Sequence, residues 1–284
     1  MTSAAAIRRK VAIATWRPSR DGRIYARMAI DATPMLRYLE RVRERTGVRV
    51  TVTHVVGAAL GRALHGVPEA RTRLVLGRVV AFDRCDVGFA VDIGGADLAS
   101  VAVRRIDQKS PVEVAGELDP RLLRLRAGTD PGHALSTAVV RYLPRWSLRP
   151  MLAVAGLLVG GFGIPAFGQQ GLPLGTAFVS NVGSLGLDEA FLAPLPFARV
   201  PIYLAVGAVR DAAVVVDGAV AVRPQLVLVA TADHRLVDGS HAGRIATVLR
   251  ELLAQPDRLD VPWIPHSVAQ EAAGGVEGQL RRGE

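Results

Sequence analysis

Residues 232–239 read Ala-Asp-His-Arg-Leu-Val-Asp-Gly, and the histidine among them, His234, is the side chain best placed to do chemistry. It follows an apolar stretch, residues 225–232, and stands in a tight turn closed by Gly239. A side chain just past a strand end is framed by the sheet yet open to a ligand. An imidazole titrating near neutrality can take a proton from a thiol or hydroxyl and return it to a leaving group. A lone histidine is more often structural than catalytic. What lifts this one is its setting: apolar strand, Asp-His, three residues, Asp-Gly, helix. His54, His65, His133, His241 and His266 show no spacing of paired metal ligands, so no metal is expected. His241 follows Ser240 at a helix start, where capping is the ordinary role. Cys85, the sole cysteine, lies among strand residues and reads as a buried structural thiol.

The elements that must hold these groups can be read in order. A strand is expected at 24–30. Asp31-Ala32-Thr33 then caps a helix over 34–46 that Gly47 ends. A second helix covers 53–64, with Thr51 or Thr53 as cap. Its small apolar face (Val56, Ala59, Leu60, Ala63) suits close packing on a sheet. Residues 79–82, 87–91 and 98–103 read as strands, with a turn over 94–97. Ser110 and Glu113 mark the start of a third helix by a capping-box pattern. Residues 176–182 are strand-like, Asp217-Gly218 joins two valine-rich runs as a hairpin, and 240–254 is a helix packing Ile245, Val248 and Leu249. This order predicts one α/β domain with a mixed sheet, residues 1–258, and a partly disordered tail over 259–284.

Composition narrows the function classes. Half of the 284 residues are apolar and about a fifth charged, the balance of a folded globular chain. The formal charge of +9 rests almost wholly on arginine. Its scatter, without zinc-knuckle spacing or basic runs interleaved with aromatics, argues against nucleic acid and leaves a phosphorylated ligand or an anionic membrane surface. One cysteine excludes an intramolecular disulfide, and no basic-then-apolar leader opens the chain, so a cytoplasmic location is expected. Residues 151–168 are eighteen consecutive uncharged residues, close to the roughly eighteen to twenty that span a bilayer. Gly160, Gly161, Gly163 and Pro165 interrupt them, and a single span would separate strands that belong to one sheet. A buried helix pair, 134–142 and 148–159, is the expected alternative. A lipophilic surface beside the active site is the sharper one, with Tyr142, Arg145, Trp146 and Arg149 as an interfacial flank.

The His234 segment resembles the His-x-x-x-Asp-Gly motif of the dihydrolipoamide acyltransferases, the core subunits of 2-oxo acid dehydrogenase complexes. Chloramphenicol acetyltransferase shares that motif and fold. Phe178-Val179-Ser180-Asn181-Val182-Gly183 is similar to the family's Ser-Asn-Leu-Gly segment, and Val216-Asp217-Gly218 with Val222-Arg223-Pro224 resembles its hairpin. Val67-Pro68-Glu69, residues 86–92 and Asp107-Gln108-Lys109-Ser110 fall where matching segments fall.

The resemblance implies a chloramphenicol acetyltransferase-like two-layer α/β sandwich, a mixed sheet with helices packed on one face. It implies a homotrimer whose active sites lie between subunits, and leaves assembly of trimers into a larger cage open. His234 of one chain would deprotonate the thiol of CoA or dihydrolipoamide, and Ser180 of its neighbour would hold the oxyanion. Asp238 would be mainly structural, paired with an N-terminal arginine for which Arg9 is the candidate. Asn181 would shape the Ser180 turn, and Asp233 would be a turn former.

The chain also departs from the family. No lipoyl or dehydrogenase-binding segment precedes the matching region, so the chain is expected either to take a lipoyl group in trans from a lipoyl-bearing protein or to use another acyl donor, with CoA as substrate. Residues 11–18 differ from the family's Ile-Ala-x-Arg-Met pattern, and Val101-Ala102-Val103 stands where it has Pro-Val-Val. Residues 132–175 form a longer and more apolar insertion than usual. Two further readings are a non-catalytic assembly scaffold of the same fold and a membrane-associated acyltransferase for a lipophilic substrate.

Overall fold

A computed structural model describes residues 22–94, 97–132, 134–135 and 143–261. In chain order its elements are β1 (Arg23–Asp31), α1 (Thr33–Thr46), α2 (Val52–His65), β2 (Thr72–Val75), β3 (Arg78–Ala81), β4 (Val87–Gly94) and β5 (Asp97–Val103). Then follow α3 (Pro111–Arg126), α4 (Arg145–Ala155), β6 (Ala177–Asn181), β7 (Ile202–Val216), β8 (Ala219–Asp233) and α5 (Gly239–Ala254). Six strands form one sheet in the order β1-β8-β7-β6-β4-β5. β6 runs parallel to both β4 and β7 and the remaining pairs are antiparallel, so the sheet is mixed as expected.

Alternation along the strands explains which face is covered. On β7, Ile202, Leu204 and Val206 point into the main core, as do Leu226, Leu228 and Ala232 on β8 and Val87 and Phe89 on β4. The helices α1, α2, α3 and α5 close this face. α2 approaches most closely, because its glycines leave no bulk: a Cβ at Gly57 would lie 2.4 Å from the Phe89 ring. On the opposite face Tyr203, Ala205 and Val229 are covered by the connection between β6 and β7, through Leu192, Leu195 and Phe197.

The predicted turn at Asp217-Gly218 is present, with both residues at positive φ (51° and 80°), the type I′ geometry that matches strand twist. The hairpin it closes runs past β1, whose pairing stops at Asp31 opposite Gln225. It forms an arm on which Val215, Val220 and Val222 are exposed.

Two expectations change. β2 was not anticipated; it pairs with β3 as a separate ribbon rather than joining the sheet. The apolar segment does form a helix, α4, followed by a π-helical turn (Gly156–Gly161), but it is not a buried one. Leu148 is buried, whereas Trp146 is 80% exposed and Val154 51%. Most of the companion helix expected over 134–142, and the tail beyond Val261, lie outside the described residues. Among the described residues, no helix is long and apolar enough to cross a membrane.

Candidate active site

His234 sits one residue beyond the end of β8, where the chain folds back on itself: Leu236 and Val237 both donate backbone N–H bonds to the Asp233 carbonyl. The His234 N–H is held by the Gly22 carbonyl at 3.1 Å. Its ring nitrogen Nδ1 lies 3.1 Å from the Val237 carbonyl oxygen. A carbonyl only accepts, so Nδ1 carries the proton and Nε2 presents a lone pair. The residue is exposed among the described residues of the single chain. The turn therefore fixes both the tautomer and the orientation a general base needs.

The two aspartates flanking the histidine serve the loop. Asp238 is the N-cap of α5, its Oδ1 accepting from the Ser240 and His241 N–H groups at 2.9 and 3.0 Å. The His241 N–H bond and the Ser240 bonds hold its carboxyl below the usual carboxylate range. His241 accepts the Asp238 N–H in return, completing a capping box. Arg9, the partner expected for Asp238, lies outside the described residues.

Asp233 does more than form a turn: it makes a forked ion pair with Arg235, with contacts of 2.6 to 3.2 Å. Burial pushes its carboxyl up, but the Arg235 bonds and the charges of Arg235 and Arg23 outweigh this and hold it low.

Ser180 lies at the far end of the sheet. It is level with Ala205 on β7, and Ala205 is level with Val229 on β8, five residues short of His234. At about 3.3 Å per residue this is roughly 16 Å along the strands, plus two strand spacings of about 4.8 Å. Within one chain the two side chains cannot meet. Ser180 is half-buried and faces away from the helices, since its neighbour Val179 points into the helix-side core. The turn after it is built by Asn181, whose Oδ1 accepts the Ser184 N–H at 3.0 Å while its Nδ2 donates to Thr53 Oγ1 at 2.8 Å.

Three arginines escaped the sequence reading. Arg23, Arg199 and Arg235 line a cleft of about 180 Å³ with Asp233, Leu74 and Pro196. Arg199 donates to the carbonyls of Gly156 and Leu74, tying the cleft wall to the π turn after α4. Isolated arginines in different segments leave no spacing signal; only Arg235, inside the histidine motif, could have been suspected. The cleft is below the roughly 300 Å³ usual for small-molecule sites, so as built from the described residues it does not enclose a nucleotide-sized ligand.

The remaining candidates are structural. Cys85 is buried with its thiol pushed up by burial, and lies 3.5 Å from the Gly61 carbonyl. His65 pairs with Asp107, and His54 accepts the Thr51 N–H at 3.2 Å. His133 and His266 lie outside the described residues.

A family model described as 2-oxoacid dehydrogenases acyltransferase (catalytic domain) matches residues 7–131 and 167–261. The chain belongs to that family. Residues 132–166 find no counterpart in the family model. Among curated relatives, the dihydrolipoyllysine-residue succinyltransferase component of the 2-oxoglutarate dehydrogenase complex from Bartonella vinsonii subsp. berkhoffii is 32% identical over 138 residues, 48% of this chain and 32% of the relative. The dihydrolipoyllysine-residue acetyltransferase component of the pyruvate dehydrogenase complex from Mycoplasma capricolum subsp. capricolum is 35% identical over 81 residues, 28% of this chain and 18% of the relative. The chain thus spans a third or less of the curated relatives it matches.

Solved structures show the same fold. A probable dihydrolipoamide acetyltransferase from Listeria monocytogenes 4b F2365 superposes with a TM-score of 0.65 at 18% identity, covering 88% of this chain and 92% of that one. The cubic core of a pyruvate dehydrogenase multienzyme complex gives 0.62 at 18% identity, covering 90% and 89%.

Proposed function

We propose that this chain transfers an acyl group between a thioester donor, acyl-CoA or acyl-lipoamide, and an acceptor thiol or hydroxyl, with His234 as general base. The observation that carries the reading is the Nδ1 bond to the Val237 carbonyl, which leaves the Nε2 lone pair as an oriented base on an exposed residue just past a strand end. With a thiol acceptor, Nε2 takes the thiol proton and the thiolate attacks the thioester carbonyl, forming a tetrahedral oxyanion. As this collapses, the acyl–sulfur bond of the donor breaks and the departing thiolate recovers the proton from Nε2.

The oxyanion needs a donor, and Ser180 is the candidate. Because one chain holds Ser180 and His234 at opposite ends of its sheet, the site is completed by a second copy, as in a homotrimer with active sites between subunits. The exposed valines of the β7–β8 arm offer apolar surface for such contacts. That a structural relative is the cubic core of a multienzyme complex supports assembly beyond a trimer, and the dihydrolipoyllysine residues named for the curated relatives support a lipoyl-bearing partner. The extent proposed for the catalytic domain is residues 1–258, with 132–175 as an insertion.

Release of CoA from a panel of acyl-CoAs with dihydrolipoamide as acceptor tests the reading. His234→Ala should lower the rate at least about a hundredfold, the scale of a lost general base. Equal rates in wild type and variant would remove His234 from the mechanism.

A further inference from the structure

The stretch that the family model leaves unmatched, residues 132–166, includes an unusual surface among its described residues. On α4 the exposed positions among the described side chains are Trp146, Arg149, Pro150, Ala153 and Val154, which recur at the helical spacing of a single face. Solvent-facing stripes are ordinarily polar; this one is apolar apart from one arginine. Leu148, on the other side of the helix, supplies the buried contact. The apolar surface continues beyond the π turn with Phe162, 52% exposed, and Ile164, 49% exposed.

Charge distinguishes among the occupants such a face could take. From Pro131 to Leu187 the sequence contains no Asp or Glu, while Arg141, Arg145 and Arg149 punctuate the apolar run. The whole chain is also basic, at +9. A face that joins an exposed tryptophan, aliphatic side chains and arginine, without acid, matches the interfacial zone of an anionic bilayer. There indole rings sit at headgroup depth and arginines meet lipid phosphates. A second copy docking through this same face would bring its own arginines against these and meet like charge.

We propose that α4 and the turn after it form a membrane-contact surface that seats this acyltransferase on anionic phospholipid without spanning the bilayer. The Arg199 bonds to Gly156 and Leu74 join this surface to the wall of the arginine-lined cleft, so docking would bring that cleft close to the lipid headgroups. The inference goes beyond the acyl-transfer reading and does not depend on it.

Co-sedimentation of the full chain with vesicles of phosphatidylcholine alone, or mixed with phosphatidylglycerol, tests it. The wild type should pellet with the mixed vesicles and release with rising salt. The double variant Trp146→Glu/Val154→Glu should lose about tenfold or more in partitioning, because it removes buried apolar area and adds two negative charges. Both positions are exposed, so fold and transfer to a soluble thiol should persist. Wild type that ignores phosphatidylglycerol, or a variant that binds as well, overturns the proposal. So does a wild-type oligomer that dissociates on the double substitution without change in lipid binding, which would assign the face to contact between copies.

Discussion

At the residue scale the proposed chemistry rests on one ring and its orientation. The Val237 carbonyl selects the Nδ1–H tautomer of His234, and Leu236 and Val237 hold that carbonyl in place by folding back onto Asp233. Ser180 is assigned the oxyanion. Ser180→Ala should therefore lower kcat by about a hundred- to a thousandfold with little change in KM, the pattern of an interaction made only in the transition state. A change confined to KM would make Ser180 a binding residue. The position of His234 just past a strand end was legible because strand, motif and glycine turn stand contiguously in the sequence. The Asp233–Arg235 pair was legible only in part, since two residues apart they were read as turn chemistry alone. Arg23 and Arg199 were not legible at all, because the fold, not the spacing, brings them together.

At the element scale, caps and close approaches position the site. The His54 Nδ1 that accepts the Thr51 N–H must be unprotonated, and burial, only partly opposed by Asp119, holds its pKa below the usual value. The folded state thus favours neutral His54. Its contribution to stability is complete above the unfolded-state value of about 6.5 and is lost as pH falls through the folded value. The melting temperature should drop more between pH 7 and pH 5 for wild type than for His54→Gln, which keeps a capping acceptor without the titration. Equal drops would remove His54 from the pH response.

The Ser180 end of the sheet depends on a close backbone approach. A Cβ at Gly183 would fall 2.5 Å from the Gly207 carbonyl oxygen. Gly183→Ala should cost about 1–3 kcal/mol of stability by overpacking and should displace the Asn181 turn, measurable by denaturant unfolding alongside activity. Unchanged stability would show that β7 yields there freely. The hairpin and the Ser110–Glu113 cap were legible because local chemistry dictates them. β2 was not, since Thr-Arg-Leu-Val is too short to show a period and its partner β3 lies outside the main sheet.

At the scale of the whole molecule, the mixed sheet and its helical layer could be read from the order of elements, and membership of the acyltransferase family agrees with that reading. The packing of the apolar insertion could not. Trp146 and Leu148 are both large and apolar, so hydropathy alone does not say which of them α4 turns outward; the structure turns Trp146 to solvent and Leu148 inward.

The register of the sheet has the widest consequence. It separates Ser180 from His234 within one chain, and so makes the proposed active site a property of the assembly. The most direct test is complementation. His234→Ala and Ser180→Ala chains, each nearly inactive alone, are co-assembled in equal amounts and assayed for acyl transfer from acyl-CoA. Random mixing through a cyclic interface should restore about a quarter of the wild-type rate, because a site that takes His234 from one variant and Ser180 from the other is intact. A mixture no more active than its parents, although mass measurement shows mixed assemblies, would contradict a site shared between subunits.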